Sequence, residues 1–300
     1  MTVRRIAKIF KSQPTVEGAG VHLKRAFGYS QIPQFDPFLM LDDFHTSNPK
    51  EYLPGFPWHP HRGIETITYI LEGMVEHGDS MGNAGIISAG DVQWMTAGSG
   101  IIHQEMPQES PTGTMWGFQF WANLPASHKM IAPRYQEVKA AEIPEVALVN
   151  GVKIKVVAGV VSGVKGPVRD IIIEPEMLDI IVPPGTVFTH TLPVNHTAFV
   201  YVLDGEGYFD DRRDAYSFEV VGHGWSDLER RCICEHETVV LYEQTGNTMQ
   251  VTTMDKPVRF LFVSGKPLHE PVAWYGPIVM NTQDELRVAF EEYNNGTFIK

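Results

Sequence analysis

His59-Pro60-His61 and His103-Gln104-Glu105 place side chains of metal-ligand type two residues apart, twice in one chain. On an extended strand, residues two apart point to the same face, roughly 7 Å from Cα to Cα, so both members of a pair can aim into one pocket. Two such strands side by side would bring three imidazoles and a carboxylate to a single ion. The set contains no thiolate, which argues against a purely structural zinc site. Fe(II), Zn, Ni, Cu and Mn all accept nitrogen and oxygen donors of this kind. Four donors on an octahedral ion leave two positions open for a bidentate ligand, or for a ligand oxygen and O2. Spacing leaves the carboxylate undecided. Glu65 follows His61 by four with the same strand parity, so it competes with Glu105 for the role.

Strands must carry these residues, and the chain supplies many. Short segments rich in Val, Ile, Phe and Tyr recur between Gly, Pro, Asn and Asp clusters, at 65–71, 85–88, 92–96, 116–122, 153–161, 179–182, 198–203, 239–243 and 259–263. That pattern predicts an all-β barrel or sandwich. An internal repeat is also visible: Thr68-Tyr69-Ile70-Leu71-Glu72-Gly73 is nearly copied as Val200-Tyr201-Val202-Leu203-Asp204-Gly205. The expectation is one barrel duplicated, with domains 1–142 and 143–300. Sliding the second copy onto the first puts Thr191 and Pro193 where His59 and His61 stand, and Val251 and Thr253 near His103 and Glu105. Only the first barrel should hold an ion. His190 and His196 read as rim or core histidines of the second.

Composition narrows the rest. With 300 residues, 43% hydrophobic and 20% charged, the chain suits two globular domains. A net charge of −12 opposes phosphate backbones, and no basic stripe relieves it, so direct nucleic-acid binding is excluded and any macromolecular partner should be a protein. No apolar run approaches the length that spans a bilayer. The basic start lacks the apolar core of a secretory signal, so the expected compartment is cytoplasmic and the protein is not secreted. The two cysteines, Cys232 and Cys234, stand two apart on a probable strand, which puts their Cα atoms near or beyond the limit for a disulfide, and they read as reduced thiols. Near the end, Thr282-Gln283-Asp284-Glu285 is a capping box. Leu286, Ala289, Phe290 and Tyr293 then make an apolar stripe, and Asn294-Asn295-Gly296 stops the helix.

Longer stretches carry a resemblance. They are Phe35-Asp36-Pro37-Phe38-Leu39-Met40-Leu41-Asp42-Asp43, then Phe56-Pro57-Trp58-His59-Pro60-His61-Arg62-Gly63-Ile64-Glu65-Thr66. Two more follow, 90–107 running from Gly90-Asp91-Val92-Gln93-Trp94 through Ile102-His103-Gln104-Glu105-Met106-Pro107, and Gly276-Pro277-Ile278-Val279-Met280-Asn281-Thr282. Together they resemble the pirin family of the cupin superfamily. The resemblance implies two tandem cupin barrels with a short C-terminal helix, and iron in the first held by His59, His61, His103 and Glu105. Glu65 would then be an outer residue orienting an imidazole. It also implies quercetin 2,3-dioxygenase activity, opening a flavonol with O2 and releasing CO, with Glu105 as ligand and proton acceptor. Trp94, Met95, Phe118 and Phe120 are the candidates to line the pocket for a flat aromatic. A second implication is an iron-dependent redox regulator of transcription that acts through protein partners, with nuclear as well as cytoplasmic residence in a eukaryote.

Overall fold

The computed structural model describes residues 2–213, 219–220 and 232–300. Two compact units emerge, one formed by Gln13–Glu142 with Leu268–Lys300, the other by Met1–Ser12 with Ile143–Pro267. The two units are interleaved in sequence, each taking one end of the chain from beyond its own central stretch. Strand Ile6–Lys11 pairs antiparallel with Thr238–Tyr242, and Ile278 bridges to Arg62. Backbone pairing across such long separations leaves no local trace in the sequence.

The unit built around Gln13–Glu142 has a seven-stranded sheet. Its strands run in the order Arg134–Val138, Val92–Thr96, Ile64–Glu72, Met115–Asn123, Phe38–Thr46, Val21–Phe27 and Gln13–Glu17, each antiparallel to its neighbours. A second sheet orders Phe56–His61, Ile101–Gln108, Met74–Asp79 and Ala84–Ser88. The other unit repeats the long sheet: Ile6–Lys11, Thr238–Tyr242, Thr197–Gly207, Val258–Gly265, Glu176–Val182, Lys153–Ala158 and Glu145–Ala147 are adjacent in that order. The near copies seen in the sequence lie between corresponding neighbours, Val92–Thr96 and Met115–Asn123 in one sheet and Thr238–Tyr242 and Val258–Gly265 in the other, and each ends at a positive-φ glycine, Gly73 or Gly205. Two cupin-type, all-β domains in tandem are the result.

Burial follows the alternation expected of strands. Along Ile101–Gln108 buried and half-buried residues alternate, with Ile101, His103, Glu105 and Pro107 on the inner face. The second unit closes on a continuous core that includes Ile154, Leu178, Phe188, Val200, Val240, Phe260 and Phe262. Each such side chain contributes about 1.5–3 kcal/mol on leaving water. The helix Gln283–Asn294 starts at the expected box, with Thr282 and Glu285 capping each other's backbone N–H. Its Leu286 and Ala289 pack with Ala273, Ile278, Met280 and Phe298. Both cysteines are free, and burial pushes the Cys234 thiol up to about 12, so it is an inert core group. Among the described residues no helix is long and apolar enough to cross a membrane.

Candidate metal centre

Strands Phe56–His61 and Ile101–Gln108 lie side by side, antiparallel, with His103 directly across from His59 and Ile101 across from His61. That register brings the three imidazoles together. One nitrogen of each of His59, His61 and His103 lies within 4.8 Å of the others, the only such cluster among the described residues. Between His103 and Glu105 the register slips by a bulge, and Glu105 comes to lie across from Phe56. Glu105 lines the same cavity of about 820 Å³ as His59 and His61.

The hydrogen bonds decide the tautomers. His59 Nδ1 donates to the Pro57 carbonyl at 2.8 Å, and His61 Nδ1 donates to the Pro277 carbonyl at 3.0 Å. Burial holds both rings below the ordinary imidazole value, so they are neutral and each Nε2 carries a bare lone pair. Those two Nε2 atoms stand 3.1 Å apart. Neither has a proton to offer the other, so their approach is repulsive until a cation shares them. His103 is fully buried with neither ring nitrogen hydrogen-bonded. Burial first, and the neighbouring His59 and His61 second, keep its pKa well below the usual value. A buried nitrogen without a partner costs about 1–3 kcal/mol. A divalent transition-metal ion removes the penalty at all three rings, so the residues fit such an ion.

Glu105 completes the polar set. Burial pushes its carboxyl up to about 7, and the Thr68 hydroxyl, donating to Oε1 at 2.6 Å, pulls the other way. The same hydroxyl lies 2.9 Å from Gln119 Oε1. Around the cavity stand Leu23, Met40, Phe44, Phe56, Trp121 and Trp274, with Tyr29 and Tyr275 exposed at its edge and the Arg25–Asp42 ion pair in its wall. Wide apolar walls with few polar groups suit a flat organic ligand.

Glu65 does not orient an imidazole. Gly63, at φ +77°, lies between one strand and the next, so the parity count from His61 is reset there. Glu65 falls on the opposite face from Thr68 and accepts from Trp94 Nε1 at 3.1 Å and Thr96 Oγ1 at 2.8 Å. The expected pocket residues also need correcting. Gln119 and Trp121 line the cavity, so Phe118 and Phe120 point to the other side of that strand and are buried in the core. Trp94, opposite Ile67, shares that far face. Met95 packs with Leu39, Ile64, Ala97 and Ile101 and does not line the cavity. The spacing argument passed over Thr68, Gln119, Trp121, Trp274 and the Pro277 carbonyl. Only Pro277 lay inside a stretch already marked by resemblance.

Comparison with known proteins agrees with this architecture. The Pirin family profile matches 20–122, and the profile for the Pirin C-terminal cupin domain matches 177–299. A pirin-like protein of Caulobacter vibrioides is 41% identical over 99% of this chain and 100% of its own length. Human pirin is 38% identical, covering 95% of this chain and 90% of its own. The crystal structure of a quercetin 2,3-dioxygenase from Acinetobacter baumannii superposes with a TM-score of 0.85 at 31% identity, covering 99% of both chains. With both halves matched in sequence and the paired cupin sheets matched in space, this chain belongs to the pirin family.

Proposed function

We propose that this protein is an iron-dependent dioxygenase that cleaves the heterocyclic ring of a flavonol with O2 and releases CO, with His59, His61, His103 and Glu105 as the ligand set. One observation supports the reading above all. Two lone-pair nitrogens face each other at 3.1 Å beside a third, fully buried imidazole that has no partner. Iron bound there would supply a Lewis acid that favours the ionised flavonol and a redox partner for O2. The chain's own residues do the rest. Pro57 and Pro277 carbonyls fix the tautomers of His59 and His61. Trp121 and Trp274 offer ring faces to a planar substrate, and the apolar walls exclude water from it. Glu105, hydrogen-bonded by the Thr68 hydroxyl, would serve in turn as ligand and as acceptor of the substrate hydroxyl proton. The likeness to a named quercetin 2,3-dioxygenase supports the choice of substrate class.

The test is oxygen uptake and CO release from quercetin by the iron-loaded protein. Turnover that disappears in His61→Ala is the expected result. Tight iron binding without turnover would leave a metal-dependent binding role instead.

A further inference from the structure

Lys129 is buried at 2% exposure with no carboxylate bonded to it. Its Nζ donates to Gly63 O at 2.8 Å, Asn123 Oδ1 at 2.5 Å and Val279 O at 3.0 Å, which uses all three ammonium protons. Two of those acceptors lie close along the chain to groups of the metal centre. Gly63 follows His61 by two residues. Val279 follows Pro277 by two, in the hairpin Ala273–Tyr275/Ile278–Met280 that also carries Trp274 into the cavity wall.

The hairpin is tied to the end of the His61 strand at Arg62. Val279 N donates to Arg62 O at 3.1 Å, and Ile278 bridges Arg62. The approach is so close that a Cβ on Gly63 would lie 2.0 Å from Val279 O. Glu270 adds a second tie, accepting from Ala126 N at 2.6 Å in the turn that leads to Lys129 and from Asn281 Nδ2 at 3.1 Å just past the hairpin. Without the ammonium, two buried carbonyl oxygens would share one small space with no proton between them, and they would part. Any retreat of Val279 moves Pro277, whose carbonyl is the sole partner of His61 Nδ1.

We propose that Lys129 is a positioning residue for the metal centre: acting through the 273–280 hairpin, its ammonium holds the Pro277 carbonyl on His61 Nδ1 and so aims His61 Nε2. The inference rests on the ligand set given above. It adds a part that the ligand motif does not contain, supplied jointly by the turn after Met115–Asn123 and by the far end of the chain.

The experiment is a titration of the metal-free full chain with Ni2+, an ion without redox turnover, by competition against a chromophoric chelator. Melting of the metal-free and Ni2+-loaded forms is recorded in parallel. Lys129→Met should weaken Ni2+ binding roughly tenfold or more, the loss typical of removing an outer-shell partner, and should shrink the metal-induced rise in Tm. Glu270→Ala, a milder change nearer the surface, should shift both readings the same way by less, and serves if Lys129→Met does not fold. Variants that lose Tm in the metal-free form yet bind Ni2+ as tightly as the parent would overturn the inference, since that is the signature of a purely structural lysine. A parent chain that binds no Ni2+ would instead overturn the ligand set itself.

Discussion

Glu105 has two opposing roles at the residue scale, because a proton and a metal ion compete for one carboxylate. Burial raises its folded value to about 7, above the ordinary 4.5 of an unfolded glutamate. In the metal-free protein the folded state therefore holds the proton more tightly. The stabilisation this brings is full below about 4.5 and is lost as pH rises through about 7. Metal binding has the opposite sign. It needs the carboxylate, so apparent affinity should fall about tenfold per pH unit below about 7, with one proton released per ion. The three imidazoles, held neutral by burial, add no such slope near neutrality. Glu105→Gln should flatten the profile in a titration followed from pH 5 to 8. Thr68→Val removes the hydroxyl that favours the charged form, so the whole profile should move to higher pH, at about 1–3 kcal/mol in metal affinity. An unchanged profile would mean that the Thr68 contact does not bear on the ionised carboxylate.

At the scale of elements, the histidine pairs were legible because a strand's two-residue period maps spacing directly onto a face. The same rule misled at Glu65, since one positive-φ glycine between two strands breaks the count. It misled again at Phe118 and Phe120. Met115–Asn123 is largely buried on both faces, so hydrophobicity alone does not say which face meets the cavity. The Pro277 carbonyl and Lys129 were invisible for a different reason: a backbone oxygen has no residue type, and the hairpin lies far along the chain from the strand it serves. Arg62 shows how firmly the final residues of the chain are held. Its guanidinium, 1% exposed, donates to Ser99 O at 2.6 Å, Phe298 O at 2.8 Å and Glu292 at 2.7 Å, and stacks on the Phe298 ring. Arg62→Met leaves two carbonyls and a carboxylate short of a donor and should cost about 2–4 kcal/mol. A denaturant titration that shows no loss would argue that the final residues are not anchored through this contact.

At the scale of the whole molecule, the duplication of one β domain was readable from the repeat, while the exchanged ends were not. Ile6–Lys11 and Leu268–Lys300 each join the unit remote from them in sequence. The pair Val187–Thr191 and Thr248–Thr252 sets Thr191 across from Thr248, and among the described residues the one three-ligand group is His59, His61 and His103. One ion per chain is thus the expected stoichiometry. Hydrogen exchange should respond unevenly: stripping the ion should raise exchange in 56–61, 101–108 and 273–280 and leave 152–158 and 258–265 unchanged. A matching rise in both units would mean that the ion acts through general stability and not through one centre. Saturation at a hundredfold excess over Kd should add about 2.7 kcal/mol to the unit that binds.

The shared-cation account meets its most direct test in metal analysis of the chain loaded anaerobically with Fe2+, compared with His103→Ala treated alike. One tightly held iron per chain, lost in the variant, is the result the geometry requires. Iron retained at full stoichiometry and affinity without the His103 ring, or none bound by the parent chain, would contradict it.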